Sequence, residues 1–331
     1  MIRKNEDPKS TRNTGGWTGE VSKALEDLLQ GAVGDSPVAV FDFDNTCIRG
    51  DIGELYGHYL VETMRYRYDL DDFWRLIHVD DGRERLRRLT DAAMAIPPEE
   101  RAGSPVYRDY LAEMAGLYGR RLRRAGKRDC YEWAVRLHVG LTTRQMNAWS
   151  AEAIRRELAE ARRVERFETS RGRLVEVERG VRPYREMRQL IAALGEAGFE
   201  VWIVSATNAW TVRQFAPFFG VPRKRVLGNL VEVDGERLTA TTRPPALFRE
   251  GKVEIIEREI GRRPAFVAGD SVTDYEMLCR ASELALVVDC GDQKLRHEAR
   301  QRGWAVQPRD DLSLDEVDPG EVDLGAEACD E

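Results

Sequence analysis

The chain has 331 residues, of which 42% are hydrophobic, so it can bury a core large enough for two domains or for one domain with a large insertion. Its net charge of −7 is uneven, because residues 309–331 carry ten acidic side chains and one basic one. That segment alone contributes −9, so the rest is close to neutral, and we do not expect a nucleic-acid partner.

We also expect no membrane partner. No apolar run approaches the roughly 18 residues of a membrane span, and about the first 30 residues are polar, without the apolar stretch of a secretion signal. The expected location is therefore the cytoplasm.

The cysteines do not indicate a disulfide framework or a zinc site, since they are scattered, odd in number and never form a Cys-x-x-Cys pair. A catalytic thiol at Cys47 is disfavoured, because no histidine lies nearby in the sequence to activate it. The cysteines are Cys47, Cys130, Cys279, Cys290 and Cys329.

The first strand of the chain ends in two carboxylates. Residues 1–35 are predicted as a polar extension and a short lead-in helix, and the apolar run from Val38 to Phe41 is predicted as a strand. Asp42 and Asp44 follow it directly. Two carboxylates this close repel each other unless a divalent cation or a shared proton lies between them. The pair therefore indicates a nucleophile beside a general acid, although an Asp-rich turn that caps the strand has the same pattern.

The next segment, residues 51–179, is predicted to be an all-helical insertion. Helical spacing recurs through it, for example in a stripe from Met146 to Val164 that follows the cap candidates Thr142 and Thr143. It holds eight of the ten tyrosines and three of the seven tryptophans, which at helical spacing favours packing in a core over lining a pocket.

From residue 180 to residue 309, strands and helices alternate. Such β-α alternation predicts a parallel sheet with helices on both faces, in which ligands bind beyond the carboxyl ends of the strands. Two further strands end in polar groups, Ser205 on one and Asp270 with Asp274 on the other. A hairpin is predicted around Asp234 and Gly235. The acidic tail, residues 310–331, is predicted to be disordered.

The polar strand ends define a candidate site. In a parallel sheet, Asp42, Asp44, Ser205 and Asp270 lie along one edge, and Lys252 begins the helix before the last of these strands. Together they provide a nucleophile, an acid, a hydroxyl donor and a cation, which are the groups needed to hold a metal ion and a transferring phosphoryl group.

The sequence resembles the haloacid dehalogenase superfamily on four ordered motifs: residues 41–46 (FDFDNT), residues 204–208 (VSATN), Lys252, and residues 269–274 (GDSVTD). The resemblance implies a three-layer, Rossmann-like α/β core with a helical cap inserted after the first strand. The position of the insertion resembles the phosphoserine-phosphatase branch, and within it the phosphorylcholine phosphatase-type hydrolases.

This resemblance also implies a role for each motif residue. Asp42 would attack phosphorus and form an aspartyl-phosphate, and Asp44 would be the general acid and base. Mg²⁺ would be bound by the Asp42 carboxylate, the Asp44 main-chain carbonyl and Asp270. Thr46 and Ser205 would hydrogen-bond the phosphoryl oxygens. Lys252 would offset the negative charge of Asp42 and the phosphate, and Asp274 would orient Lys252 or a metal-bound water.

Asp51 is a candidate substrate contact. It lies nine residues after Asp42, where phosphoserine phosphatases have a glutamate that meets the substrate amine. We hypothesise that Asp51 pairs with a cationic group, with Tyr or Trp side chains of the insertion supplying cation–π contacts. The alternative is that Asp51 is only the N-cap of the helix that begins at Ile52. Because Asp is one methylene shorter than Glu, its reach is shorter, which disfavours phosphoserine itself and leaves room for a bulkier head group such as phosphocholine.

The expected function is hydrolysis of a small phosphorylated metabolite. Asp44 favours a phosphatase over a dehalogenase, since only phosphoryl transfer to water needs a second group that gives and takes a proton. A phosphomutase and a non-catalytic binding or scaffold protein on the same fold remain alternatives, although the scaffold role would require the loss of a motif residue. The sequence does not indicate an oligomeric state.

Overall fold

The computed structural model describes residues 16–31, 36–170, 172, 174–320 and 322. The predicted N-terminal extension over residues 1–15 and the end of the acidic tail, residues 321 and 323–331, lie outside the described residues. The strands are, in chain order, β1 (Val38–Phe41), β2 (Ile48–Arg49), β3 (Arg163–Glu168), β4 (Leu174–Arg179), β5 (Arg182–Pro183), β6 (Glu200–Asn208), β7 (Val226–Asn229), β8 (Val231–Asp234), β9 (Arg237–Thr242), β10 (Phe266–Gly269), β11 (Leu284–Asp289) and β12 (Ala305–Pro308).

Helices connect these strands and form the greater part of the segment between β2 and β3. They are α1 (Gly19–Gln30), α2 (Ile52–Glu62), α3 (Asp71–Leu76), α4 (Arg83–Met94), α5 (Pro105–Arg136), α6 (Thr143–Ala159), α7 (Arg185–Glu196), α8 (Ala209–Phe215), α9 (Glu250–Glu259), α10 (Tyr275–Leu278) and α11 (Gln293–Arg302). Over the described part of the chain, no helix combines the length and apolar character needed to cross a bilayer.

The central sheet consists, within the described residues, of six parallel strands in the order β12, β11, β10, β1, β6 and β7. Because side chains alternate along a strand, Ala39 and Phe41 point into one buried hydrophobic cluster and Val38 and Val40 into another. Helices α1, α7 and α8 contribute to the first cluster, and α9 and α11 to the second. The predicted three-layer α/β core is therefore confirmed.

Residues 51–179, called the cap below, leave and rejoin the core through a short antiparallel ribbon of β2 and β5, in which Ile48 pairs with Pro183 and Arg49 with Arg182. The cap has a third hydrophobic cluster, rich in buried aromatic side chains, which also takes in Val231 and Leu238 of the predicted β8–β9 hairpin. The predicted domain limits, at residues 35, 50, 179 and 309, stay a prediction.

The prediction that the cap is helical throughout is wrong at its end. Helix α6 ends at Ala159, and residues 163–168 and 174–179 pair as the antiparallel hairpin β3–β4. Val164, assigned above to a helical stripe, lies on β3 and is 50% exposed. The hairpin is held against α6 by Glu157, which accepts the Gly180 N–H (2.9 Å) and an N–H of buried Arg179 (3.0 Å). These partners are more than 20 residues apart, so a local helical period does not detect them.

The predicted disorder of the tail is wrong for residues 310–320. The side chain of Asp315 is 9% exposed and lies 2.9 Å from both Arg185 and Arg188 of α7, and its backbone N–H donates to the carbonyl of Pro183 (2.9 Å). Leu312 is buried in the same cluster as Phe41. Acidic composition predicts disorder only when no basic surface is available, and α7 provides that surface.

Candidate active site

The carboxyl ends of three neighbouring strands bring the predicted site residues together. Strand β1 lies between β10 and β6, and its last residue, Phe41, pairs with Ala268 on one side and Ile203 on the other. Asp42 follows Phe41, Ser205 lies two residues beyond Ile203, and Asp270 lies two residues beyond Ala268. All of these side chains therefore lie at the same edge of the sheet, as the alternation of strands and helices predicts.

Asp42 is held by two donors. It is 5% exposed; its Oδ1 accepts from the Lys252 ammonium (2.7 Å), and its Oδ2 accepts from the Thr46 hydroxyl (3.0 Å). Burial and the charge of Asp274 raise the pKa of Asp42, Lys252 and the Thr46 hydrogen bond oppose them, and the net pKa is about 6. With both oxygens fixed by donors, the carboxylate has one orientation at the bottom of the site.

Lys252, on the first turn of α9, is 1% exposed and also donates to Asp274 Oδ1 (2.6 Å). Burial by itself lowers the pKa of this ammonium, but the carboxylates of Asp274 and Asp42 outweigh it and raise the pKa above its ordinary value. The lysine therefore stays charged and supplies positive charge where Asp42 lies.

Asp44 is held by a separate set of donors. Its Oδ1 accepts the backbone N–H of Ile52 (2.7 Å), and its Oδ2 accepts the hydroxyls of Thr207 (2.7 Å) and Ser205 (3.3 Å). Burial raises the pKa of Asp44 well above its ordinary value, and the charges of Asp51 and Asp42 add to the shift. A carboxyl group with a raised pKa retains a proton that it can donate, which is what a general acid requires.

Three carboxylates at this edge can hold a metal ion. Oxygen atoms of Asp42, Asp270 and Asp274 lie within 4.8 Å of one another. Asp274 Oδ2 already accepts the backbone N–H groups of Asp270 and Ser271, both at 3.2 Å, and its Oδ1 accepts from Lys252. Asp274 therefore contacts both Lys252 and the loop of residues 269–274, an arrangement compatible with its expected role of orienting the lysine.

The donor set fits Mg²⁺. It consists of carboxylate oxygens, which hard divalent cations prefer, and Lys252 alone does not offset the negative charge of Asp42, Asp270 and Asp274. Burial and the neighbouring charges of Asp274 and Asp42 raise the pKa of Asp270 well above its ordinary value, and the charge of Lys252 opposes them only in part. The Asp44 side chain lies outside this cluster, so any contribution to metal binding comes from its main-chain carbonyl.

Thr46 and Ser205, the expected phosphate ligands, are both fully buried and donate to carboxylates, Thr46 to Asp42 and Ser205 to Asp44. Thr207, whose hydroxyl makes the shorter bond to Asp44, was not predicted as a site residue. A signal was present, since residues two apart at the end of a strand point to the same side and both carry hydroxyl groups.

A cavity of about 610 Å³ lies over these strand ends, between core and cap. Asp42, Asp44, Lys252 and Asp270 line it on the core side. The cap side contributes aromatic, acidic and basic side chains, among them Tyr66, Tyr118, Tyr131, Trp133, Asp51, Glu54, Glu176, Arg123 and Lys127. Aromatic side chains of the cap therefore both line the cavity and fill the cap core. Their helical spacing had favoured the prediction that they only pack in a core.

Asp51 is the N-cap of α2, because its Oδ1 accepts the Glu54 N–H (2.8 Å), and it also faces the cavity. The two readings of this residue are thus compatible. Desolvation raises the pKa of Asp51. Desolvation, together with the charges of Asp51 and Glu178, raises the pKa of Glu54 to about 8. A cation bound in this part of the cavity would lower both pKa values and stabilise the ionised carboxylates.

In sequence, residues 106–278 match the family described as haloacid dehalogenase-like hydrolase. The match covers more than half of the chain, includes three of the four motifs and agrees with the parallel sheet and its acidic edge. The chain therefore belongs to the haloacid dehalogenase-like hydrolase family, as the motifs predicted. No curated protein is significantly similar to it in sequence.

Solved structures show the same fold. A conserved protein of unknown function from Anaerococcus prevotii DSM 20548 is 22% identical, with a TM-score of 0.79 over 92% of this chain and 97% of that chain. A protein of unknown function from Bordetella pertussis Tohama I is 19% identical, with a TM-score of 0.55 over 83% of this chain and 100% of that chain. The similarity to a substrate-bound phosphoserine phosphatase is weaker, at 14% identity and a TM-score of 0.43 over 84% of this chain and 95% of that chain.

Proposed function

We propose that this protein is a Mg²⁺-dependent phosphatase that hydrolyses a small phosphomonoester through an aspartyl-phosphate. The observation that carries the proposal is the separation of two carboxylates in one cavity: Asp42 is held by Lys252 and Thr46, while Asp44 is held by Thr207, Ser205 and the Ile52 amide. One carboxylate is thereby arranged as a nucleophile and the other as an acid.

In the first half of the reaction, a carboxylate oxygen of Asp42 attacks phosphorus and an O–P bond to Asp42 forms. The ester P–O bond breaks, its electron pair goes to the leaving oxygen, and the carboxyl proton of Asp44 moves to that oxygen, so that an alcohol departs. Lys252, which already contacts Asp42, offsets the charge that collects on the phosphoryl oxygens.

In the second half, water attacks phosphorus in the aspartyl-phosphate. Asp44, now ionised, accepts a proton from that water, and the bond between phosphorus and Asp42 breaks to release inorganic phosphate. When bound by Asp42, Asp270 and the Asp44 carbonyl, Mg²⁺ would neutralise phosphate charge and orient the ester. Both carboxylates return to their starting protonation states.

We further propose that the substrate has a cationic head group, as phosphoserine-like or phosphocholine-like metabolites have. The cavity wall opposite the strand ends carries Asp51 and Glu54, and Tyr118 and Tyr131 line the same space. Carboxylates attract an ammonium group, and aromatic faces add cation–π attraction worth about 0.5–2 kcal/mol each. Nothing in this arrangement favours a phosphomutase or a scaffold over a phosphatase.

The reaction is tested by hydrolysis of p-nitrophenyl phosphate with and without Mg²⁺. We expect activity that needs Mg²⁺ and that Asp42→Asn abolishes, while the matched variant Asp234→Asn, at the exposed end of β8, retains it. Reduction of the trapped acyl phosphate with borohydride should convert Asp42 to homoserine, seen by peptide mass. Activity that survives in Asp42→Asn would remove the proposal.

The head group is tested with phosphocholine and its neutral carbon isostere, 3,3-dimethylbutyl phosphate, which differ in the charge but not in the shape of the head. We expect the wild type to prefer phosphocholine, and Asp51→Asn and Glu54→Gln each to reduce that preference about tenfold, since one charge pair of this kind contributes about 1–2 kcal/mol. An unchanged preference in both variants would contradict the cationic head group without affecting the proposed reaction.

A further inference from the structure

The carboxyl group of Asp44 is held from two sides, once by the cap and once by the core. The backbone N–H of Ile52, the first residue of α2, donates to Oδ1 (2.7 Å). The hydroxyl of Thr207, near the end of β6, donates to Oδ2 (2.7 Å), and the Ser205 hydroxyl makes a longer bond to the same oxygen (3.3 Å). The plane of the carboxyl group is therefore set by donors on both of its oxygens.

Thr207 also touches the first turn of α2. Gly53 has no side chain, and a methyl group placed on it would lie 2.7 Å from Thr207 Oγ1 and 3.0 Å from Thr207 Cγ2. These distances are shorter than van der Waals contact, so only glycine allows the helix to come this close to Thr207. The turn that donates to Asp44 Oδ1 thus also fixes the side chain that donates to Asp44 Oδ2.

The Ser205 hydroxyl does not replace Thr207. Its bond to Asp44 is 0.6 Å longer than that of Thr207, and its oxygen is itself held within the strand end by the backbone N–H of Thr207 (3.0 Å). Without the Thr207 hydroxyl, Asp44 Oδ2 would retain one long hydrogen bond, which holds a side chain less firmly than a short one.

From this arrangement we propose that Thr207 is a positioning residue, which directs the carboxyl group of Asp44 toward the leaving oxygen of the ester. Thr207 does so only while the first turn of α2 packs against its side chain. The inference rests on the proposed phosphatase reaction. It concerns how the acid is oriented, which the family motifs do not assign to this residue. General acid catalysis contributes about 10²–10⁴-fold, so a misdirected acid costs a measurable part of that factor.

The test uses two esters that differ in their need for an acid, n-butyl phosphate and p-nitrophenyl phosphate. Butoxide is a poor leaving group that needs a proton as the P–O bond breaks, whereas p-nitrophenolate leaves unprotonated. Thr207→Val removes the hydroxyl and keeps the shape of the side chain. We expect it to lower kcat/KM for butyl phosphate about 30-fold and kcat/KM for p-nitrophenyl phosphate several times less. The ratio kcat/KM is used because it reports the first phosphoryl transfer and excludes hydrolysis of the aspartyl-phosphate.

Two further variants test the geometry. Thr207→Ser restores a hydroxyl and should recover most of the butyl phosphate activity. Gly53→Ala keeps the Thr207 hydroxyl but pushes it away from Asp44. The variant should therefore show the same selective loss of activity as Thr207→Val. Thr90→Val is the matched control, because Thr90 is fully buried in the cap and its hydroxyl has no hydrogen-bond partner among the described residues.

Equal losses for the two esters in Thr207→Val, or no loss, would overturn the positioning role. Failure of the proposed reaction has a different signature, namely a wild-type protein that hydrolyses neither ester or an Asp42→Asn variant that remains active. Circular dichroism and thermal unfolding of each variant separate a folding defect from both, and Thr207→Ser then gives the deciding comparison.

Discussion

The ammonium of Lys252 and the carboxylate of Asp274 form an ion pair of 2.6 Å in which each side chain is only 1% exposed. Ion pairs this deeply buried lose the hydration of both groups, so their net contribution to stability is small. The pair instead links the residues of the site to one another. Lys252 also contacts Asp42 Oδ1 (2.7 Å), and Asp274 accepts the backbone N–H groups of Asp270 and Ser271.

Lys252→Met is therefore expected to lower kcat at least about 100-fold, because the cation that offsets charge on Asp42 and on the phosphoryl group is removed. Lys294→Met, a change at an exposed lysine on α11, is the matched control and should leave kcat unchanged. The measurement is steady-state hydrolysis of p-nitrophenyl phosphate at saturating Mg²⁺. A fall of less than about threefold in Lys252→Met would contradict this role for the lysine.

Magnesium should stabilise the folded protein independently of activity. Carboxylates of Asp42 and Asp270 repel each other near Asp274, and a bound divalent cation relieves that repulsion. At a Mg²⁺ concentration of about 100 times Kd, linkage predicts a gain of about 2.7 kcal/mol in the free energy of unfolding. Calorimetry with added Mg²⁺ and with chelator measures it. Asp270→Asn should lose this gain, whereas Asp234→Asn should keep it.

The folded part of the tail should contribute to stability through Asp315. Its side chain is 9% exposed and contacts Arg185 and Arg188, so Asp315→Asn leaves two guanidinium groups without their shared carboxylate. We expect a loss of about 1–3 kcal/mol in the free energy of unfolding, measured by urea titration. The matched variant Asp310→Asn removes an acid that is 77% exposed in its pair with Arg49, and should cost less than about 1 kcal/mol. Equal effects in the two variants would show that burial of Asp315 is unimportant.

His138 should make the protein less stable in acid. It is 5% exposed, its ring packs against Tyr56 and Tyr66, and burial lowers its pKa to about 4. In the unfolded chain the pKa of histidine is about 6.5, so the unfolded state binds a proton first as the pH falls. The contribution is fully present above about pH 6.5 and is lost as the pH falls toward about 4, with a loss of about 2 kcal/mol by pH 5.

This acid sensitivity is measured as the difference in unfolding free energy between about pH 7 and about pH 5 for the wild type and for His138→Gln. The variant should show a smaller decrease, by about 2 kcal/mol, whatever its stability at neutral pH. Carboxylates with raised pKa, such as Asp44, change stability in the opposite direction, but they are common to both proteins and cancel in the comparison. An identical pH dependence would show that His138 is not held neutral by burial.

The sequence by itself determined the parallel sheet, the insertion after the first strand and the meeting of Asp42, Asp44, Lys252 and Asp270. These features follow from local patterns, because apolar runs define strands, alternation with helices makes the strands parallel, and parallel strands place their carboxyl ends at one edge. The β3–β4 hairpin and the packing of the tail against α7 were not predicted, since each is stabilised by partners that lie far away in the sequence.

Only the tertiary structure decided which donor holds which carboxylate. Thr46 contacts Asp42, whereas Thr207, 163 residues away from Asp44, holds the second carboxylate together with an amide from the cap. Such hydrogen bonds depend on how closely the cap helix approaches the strand end, to within the space that Gly53 leaves open. Hydrogen bonding falls off steeply with distance and angle, so its partners are set by the packing of whole elements and are not encoded in any single stretch of the chain.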